Sequence, residues 1–87
     1  MSRAVVLDSG PLGLLSNPRS TDATQRARLW LEALYEAGDR VIVPEIADYE
    51  VRRELIRAGR ARGLARLDHL NGLLDYVPLT TEAMKRA

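Results

Sequence analysis

Two short runs of branched apolar residues, Ala4-Val5-Val6-Leu7 and Val41-Ile42-Val43, constrain this chain more than any other feature. Neither run alternates apolar with polar. A strand with one wet face alternates every second residue, whereas an unbroken run suits a strand buried on both faces of a parallel sheet. Parallel neighbours need a crossover, and the intervening sequence supplies helices. Leu12, Leu14 and Leu15 read as a short apolar helical turn between Gly10-Pro11 and Asn17-Pro18. Asp22 followed by Gln25 has the spacing of a capping box. Ala23, Ala27, Trp30, Leu31 and Leu34 then recur at helical intervals, and Gly38 stands where a C-terminal cap belongs.

After the second run, Pro44 fits the first position of a helix and Glu45 the positive end of its dipole. Ala47, Val51, Leu55 and Ala58 form that helix's apolar stripe, which Gly59 interrupts. Leu64, Leu67, Leu70 and Leu74 mark a further helix. Tyr76-Val77-Pro78-Leu79 reads as a third strand, placed at an edge by its proline. Thr80 or Thr81 would cap a last helix. Strands alternating with helices predict an α/β domain built on a parallel sheet.

The 87 residues suffice for one small domain, which buries a modest share of its surface. Without cysteine there are no disulfides or thiolate metal sites to supplement the core, as in a reducing cytoplasm. No N-terminal apolar region suggests a signal peptide, and no apolar run is long enough to cross a bilayer. A soluble, cytoplasmic protein is expected. The net charge of +1 says little, but Arg52, Arg53, Arg57, Arg60, Arg62 and Arg66 crowd into one segment offset only by Glu54. Such a segment either contacts phosphates, releasing their counterions, or forms a solvated helical face whose arginine stems cover apolar neighbours.

Chemistry in an open parallel sheet belongs beyond the carboxyl ends of the strands. Asp8 lies there, followed by Ser9, although Asp-Ser-Gly-Pro also makes a good turn or helix cap. Glu50 and Glu54 stand one turn apart on the helix after the second strand. Like charges at that spacing repel mildly, so either Arg53 and Arg57 or a bound cation should offset them. Hard divalent cations accept one or two carboxylates plus waters and a phosphate. Such an ion acidifies water and neutralises charge on a phosphodiester, which would suit hydrolysis of RNA.

At these residues the chain resembles the PIN-domain nucleases, in particular toxins of the VapC type. Val5-Val6-Leu7-Asp8-Ser9 is similar to the first PIN motif, an apolar strand ending in aspartate and then threonine or serine. VIVPEIADYEVRREL, from Val41 to Leu55, is similar to the second, a strand followed by a glutamate-bearing helix. The resemblance covers essentially the whole chain as the N-terminal half of such a domain. It implies a three-layer α/β/α fold with strand order 3-2-1, incomplete over residues 1–87. It also implies an endoribonuclease dependent on Mg²⁺ or Mn²⁺, with Asp8 and Glu50 as metal-binding catalytic acids. Ser9, Arg53 and Arg57 are the candidate RNA contacts. A cognate antitoxin and a homodimer are the implied partners beside RNA. The remaining acids of the family come from a C-terminal half, and Asp68 and Asp75 do not stand at matching positions. The 87 residues alone are therefore expected to lack nuclease activity.

Other chemistries fit poorly. Trp30 could stack on a base, but its stripe predicts a core residue. His69, the only histidine, sits among leucines and reads as a surface or partly buried residue. Asp8 and Ser9 are too close in sequence to build a triad with His69, and no nucleophile elbow is present. Gly10 stands where strand-end phosphotransferases carry a second aspartate. No Gly-rich phosphate loop occurs. Two competing readings are a noncatalytic RNA-binding or protein-interaction module and a plain structural fragment.

Overall fold

The computed structural model describes residues 3–78 of the chain. Its elements run β1 (Ala4–Val6), α1 (Ser9–Ser16), α2 (Asp22–Glu36), β2 (Arg40–Pro44), α3 (Glu45–Arg57), α4 (Ala61–Leu73) and β3 (Asp75–Val77). The three strands form one parallel sheet with β2 in the centre. Val5 pairs with Val41 and Val6 with Ile42, while Val43 pairs with Tyr76. The expected α/β class, parallel pairing and strand order are all present. The proposed helix at Thr80 or Thr81 lies outside the described residues.

Side-chain direction alternates along each strand, and here the two faces differ sharply. Val5, Val41 and Val43 turn toward the helices, with Leu7 continuing the same line. Leu7, Val43, Leu12 and Leu67 are fully buried, each contributing about 1.5–3 kcal/mol by leaving water. Helix α1 packs against α2, α3 and α4, so the four helices gather on this one face. On the other face Val6 is 61% exposed, and Ile42 and Val77 share its side of the pleat. The described residues thus make two layers, not three. Consecutive parallel strands laid side by side with crossovers of one hand put every crossover helix on the same face.

Both expected glycine stops are left-handed caps. Gly38 (φ 75°) and Gly59 (φ 68°) each follow a helix C-cap, and both ends close by the same pair of bonds. Gly38 N–H donates to the Tyr35 carbonyl and Asp39 N–H to Leu34. Gly59 N–H donates to Ile56 and Arg60 N–H to Leu55. This is a Schellman arrangement, which a residue bearing Cβ occupies only with strain.

Helix α2 departs from expectation at its start and on its face. Thr21, not Asp22, is the N-cap: its hydroxyl accepts from Thr24 N–H at 3.2 Å, and Thr24 Oγ1 accepts from Thr21 N–H at 2.8 Å. The buried residues are Thr24, Ala27 and Leu34, with Leu31 partly covered. Ala23 is exposed and Trp30 is 39% exposed, so Trp30 is no core residue. Thr24 occupies the centre of the stripe because its hydroxyl is satisfied locally, donating to the Arg19 carbonyl at 2.7 Å. That shifts Ala23 and Trp30 to the border.

Candidate functional site

Asp8 leaves the sheet at the carboxyl end of β1. Leu7 N–H donates to the Ile42 carbonyl at 2.9 Å, so the backbone stays paired with β2 up to the residue before Asp8. Asp8 then takes the N-cap position of α1 with extended backbone, but its side chain makes no capping bond. Ser9 is the first residue of α1 and is half-buried. Across the sheet, β2 ends at Pro44, which serves as the N-cap of α3. Parallel pairing puts both helix starts at the same edge. Helices α1 and α3 leave that edge and pack against each other.

The faces of α3 follow from where its residues are bound. Ala47, Asp48 and Val51 are buried against the domain. Asp48 is 7% exposed as a residue. Its Oδ1 accepts from Asn71 Nδ2 of α4 at 2.7 Å and from Arg52 Nη2 at 3.1 Å, and its Oδ2 accepts from Arg52 Nε at 3.2 Å. Arg52 also donates to Asp68 of α4 at 2.8 Å. These bonds, Asp48 first, hold the Arg52 guanidinium still more firmly protonated than usual. The Asp48 border of α3 therefore faces α4. Glu50 lies about 160° around the helix from Asp48 at ~100° per residue, on the border turned away from α4. It is exposed.

Five acids belong to the two strand–helix units that meet at this edge: Asp8, Glu45, Asp48, Glu50 and Glu54. Three are engaged. Glu45 accepts from the Tyr76 hydroxyl at 3.4 Å, Asp48 is held as above, and Glu54 pairs with Arg57 at 2.7 Å. Tyr76 has its pKa raised by desolvation and by the carboxylates of Glu45 and Asp48. Asp8 and Glu50 have no side-chain partner among the described residues. The two answers left open for the Glu50–Glu54 pair thus divide: an arginine takes Glu54, and Glu50 is left over.

The arginines expected at RNA separate in the same way. Arg57 is spent on Glu54, while Arg53 is exposed and lies beside Tyr49 and Ile56 on the outer side of α3. Asp68 is bound to Arg52 and Asp75 to Arg40. His69 is exposed. Sequence reasoning missed Asp48. Its signal was an acid between stripe residues Ala47 and Val51 with an arginine four residues on; its partner Asn71 is visible only in the tertiary structure.

Asp8 and Glu50 are both exposed carboxylates, the donor type that hard divalent ions take. Among the described residues no three Asp, Glu, His or Cys side chains gather where they could hold a metal. No described helix is long and apolar enough to cross a membrane. No family model matches the chain, and no curated protein or solved structure matches it either.

Proposed function

We propose that this chain serves a metal-dependent endoribonuclease of the PIN type, akin to VapC toxins, with Asp8 and Glu50 as the acids that hold Mg²⁺ or Mn²⁺. One observation carries the reading. Of the five acids on the two strand–helix units at the carboxyl edge, the two that correspond to the PIN motifs are the two without a side-chain partner among the described residues. An exposed carboxylate that no side chain occupies is open to a divalent cation.

The ion, when bound, would supply an acidified water and offset charge on the phosphodiester. The chain's own part is to hold its two carboxylates in place. Pairing of Leu7 to β2 fixes where Asp8 emerges, and the Asp48–Arg52–Asn71 network fixes the roll of α3 and hence the side on which Glu50 stands. An antitoxin, a homodimer and a cytoplasmic location belong to the same proposal. The test is cleavage of labelled RNA by the chain in its full reading frame, with Mn²⁺ or with EDTA. Cleavage that needs the metal and disappears in Asp8→Asn supports the reading; unchanged cleavage in Asp8→Asn refutes it.

A second reading, a noncatalytic RNA-binding module, is favoured by the absence of a third acid near Asp8 and Glu50 among the described residues. RNA binding indifferent to EDTA, with no metal-dependent loss of the RNA, would decide for it.

A further inference from the structure

A cleft of about 570 Å³ opens where the end of α1, the end of α3 and the start of α4 meet. Arg19, Arg60 and Arg62 line it, together with Gly13, Leu55 and Gly63, and no acidic residue does. All three arginines are exposed, and none forms an ion pair among the described residues. In this they differ from Arg3, Arg40, Arg52 and Arg57, which are each held by a carboxylate. We propose that this cleft binds the phosphates of a single-stranded RNA.

The fold prepares the cleft from three sides. Arg19 is carried on a braced loop: its carbonyl accepts from Thr24 Oγ1 at 2.7 Å and from Arg28 Nη2 at 3.2 Å, and its N–H donates to Asn17 Oδ1 at 3.0 Å. Arg28 Nη2 also donates to the Asn17 carbonyl at 2.9 Å, placing a further positive charge behind the rim. The Schellman turn at Gly59 reverses the chain so that Arg60 and Arg62 face back toward that loop. Gly63 lets α4 come close to α3, since a Cβ there would lie 2.7 Å from Leu55 Cδ2. The first turn of α4 enters the cleft without a side-chain cap, adding backbone N–H donors to the guanidinium groups. Guanidinium groups match phosphate oxygens two at a time, which suits arginine to this role better than lysine.

The cleft is built on the same two helices that follow Asp8 and carry Glu50. Gly13 follows Asp8 by five residues of α1, and Leu55 follows Glu50 by five residues of α3, a helical rise of about 7.5 Å in each case. Gly13 and Leu55 share the cleft. Gly13 and Leu55 each also stand about 140° around their helix from the acid, so the cleft and the acids occupy different sides of α1 and α3. The inference rests on the RNA-cutting reading and replaces Arg53 and Arg57 with Arg19, Arg60 and Arg62 as the principal phosphate contacts.

Binding of a fluorescein-labelled single-stranded RNA to the 87-residue chain, measured by anisotropy in EDTA over a salt series, tests this without any cleavage. Arg19→Gln, Arg60→Gln and Arg62→Gln combined should weaken binding about tenfold or more at low salt. The slope of log affinity against log salt should flatten by about 2, since each phosphate contact on a single strand contributes roughly 0.7. Arg53→Gln with Arg57→Gln should leave both nearly unchanged. All replaced side chains are exposed, and circular dichroism confirms the folded state of each variant. Equal loss from the two sets, or none from the triple variant, overturns the cleft. Cleavage by Asp8→Asn is read separately, with Mn²⁺ present. If Asp8→Asn cuts as the parent does, the nuclease reading fails while the binding result for the arginine variants stands.

Discussion

Replacing Asp48 with alanine separates the acid that holds the fold from the acid proposed to hold the metal. Asp48 accepts three hydrogen bonds, two from Arg52 and one from Asn71. Arg52 is partly exposed and retains Asp68, so its two lost bonds can be replaced largely by water, at a cost of about 1 kcal/mol. Asn71 is less fortunate. Its Oδ1 is already buried without a partner, and losing Asp48 orphans its Nδ2 as well, at about 1–3 kcal/mol. The sum is about 3 kcal/mol, against a total stability on the order of 5–15 kcal/mol for a domain. Glu50→Ala, on an exposed border without a partner, should change stability by less than ~0.5 kcal/mol. Urea unfolding followed by circular dichroism reads both. The reasoning is refuted if Asp48→Ala unfolds with the parent, or if Glu50→Ala costs as much as Asp48→Ala.

Gly59→Ala forces a Cβ into a left-handed φ of 68° and should lower stability by about 1–2 kcal/mol, read in the same urea assay; a neutral result would mean the turn relaxes freely. Tyr76 has a raised pKa in the fold, so above its unfolded value near 10 the folded chain holds more protons than the unfolded one. Stability should accordingly fall as pH rises past about 10, and Tyr76→Phe should lessen that fall in thermal melts.

What the sequence disclosed follows from which interactions are local. Val5, Val41 and Val43 declare their strands because an unbroken branched run has few other uses, and Gly38 and Gly59 mark stops that only a left-handed residue makes. Asp8 and Glu50 were legible for the same reason, each tied to the end of a strand or the second turn of a helix. Trp30 was misread because apolar character stood in for position: the polar Thr24, satisfied by Arg19 and Thr21, holds the centre of the α2 stripe. The capping box was misplaced by one residue for a related reason, since Thr24 can reciprocate with Thr21 as a carboxylate or amide would. Of the incomplete three-layer fold expected, the described residues supply two layers, since consecutive parallel strands with crossovers of one hand carry their helices on one face. The arginine cleft was not legible at all. Arg19 and Arg60 are far apart in sequence, and only the meeting of α1, α3 and α4 brings them to one opening.

The most direct measurement is a manganese titration of the 87-residue chain, with free Mn²⁺ followed by electron paramagnetic resonance. The parent should take up one ion, and Asp8→Asn and Glu50→Gln should each weaken it about tenfold or more, while Glu54→Gln leaves it unchanged. Equal uptake by all four proteins, or a loss confined to one of the two acids, would contradict a shared ion at the carboxyl edge of the sheet.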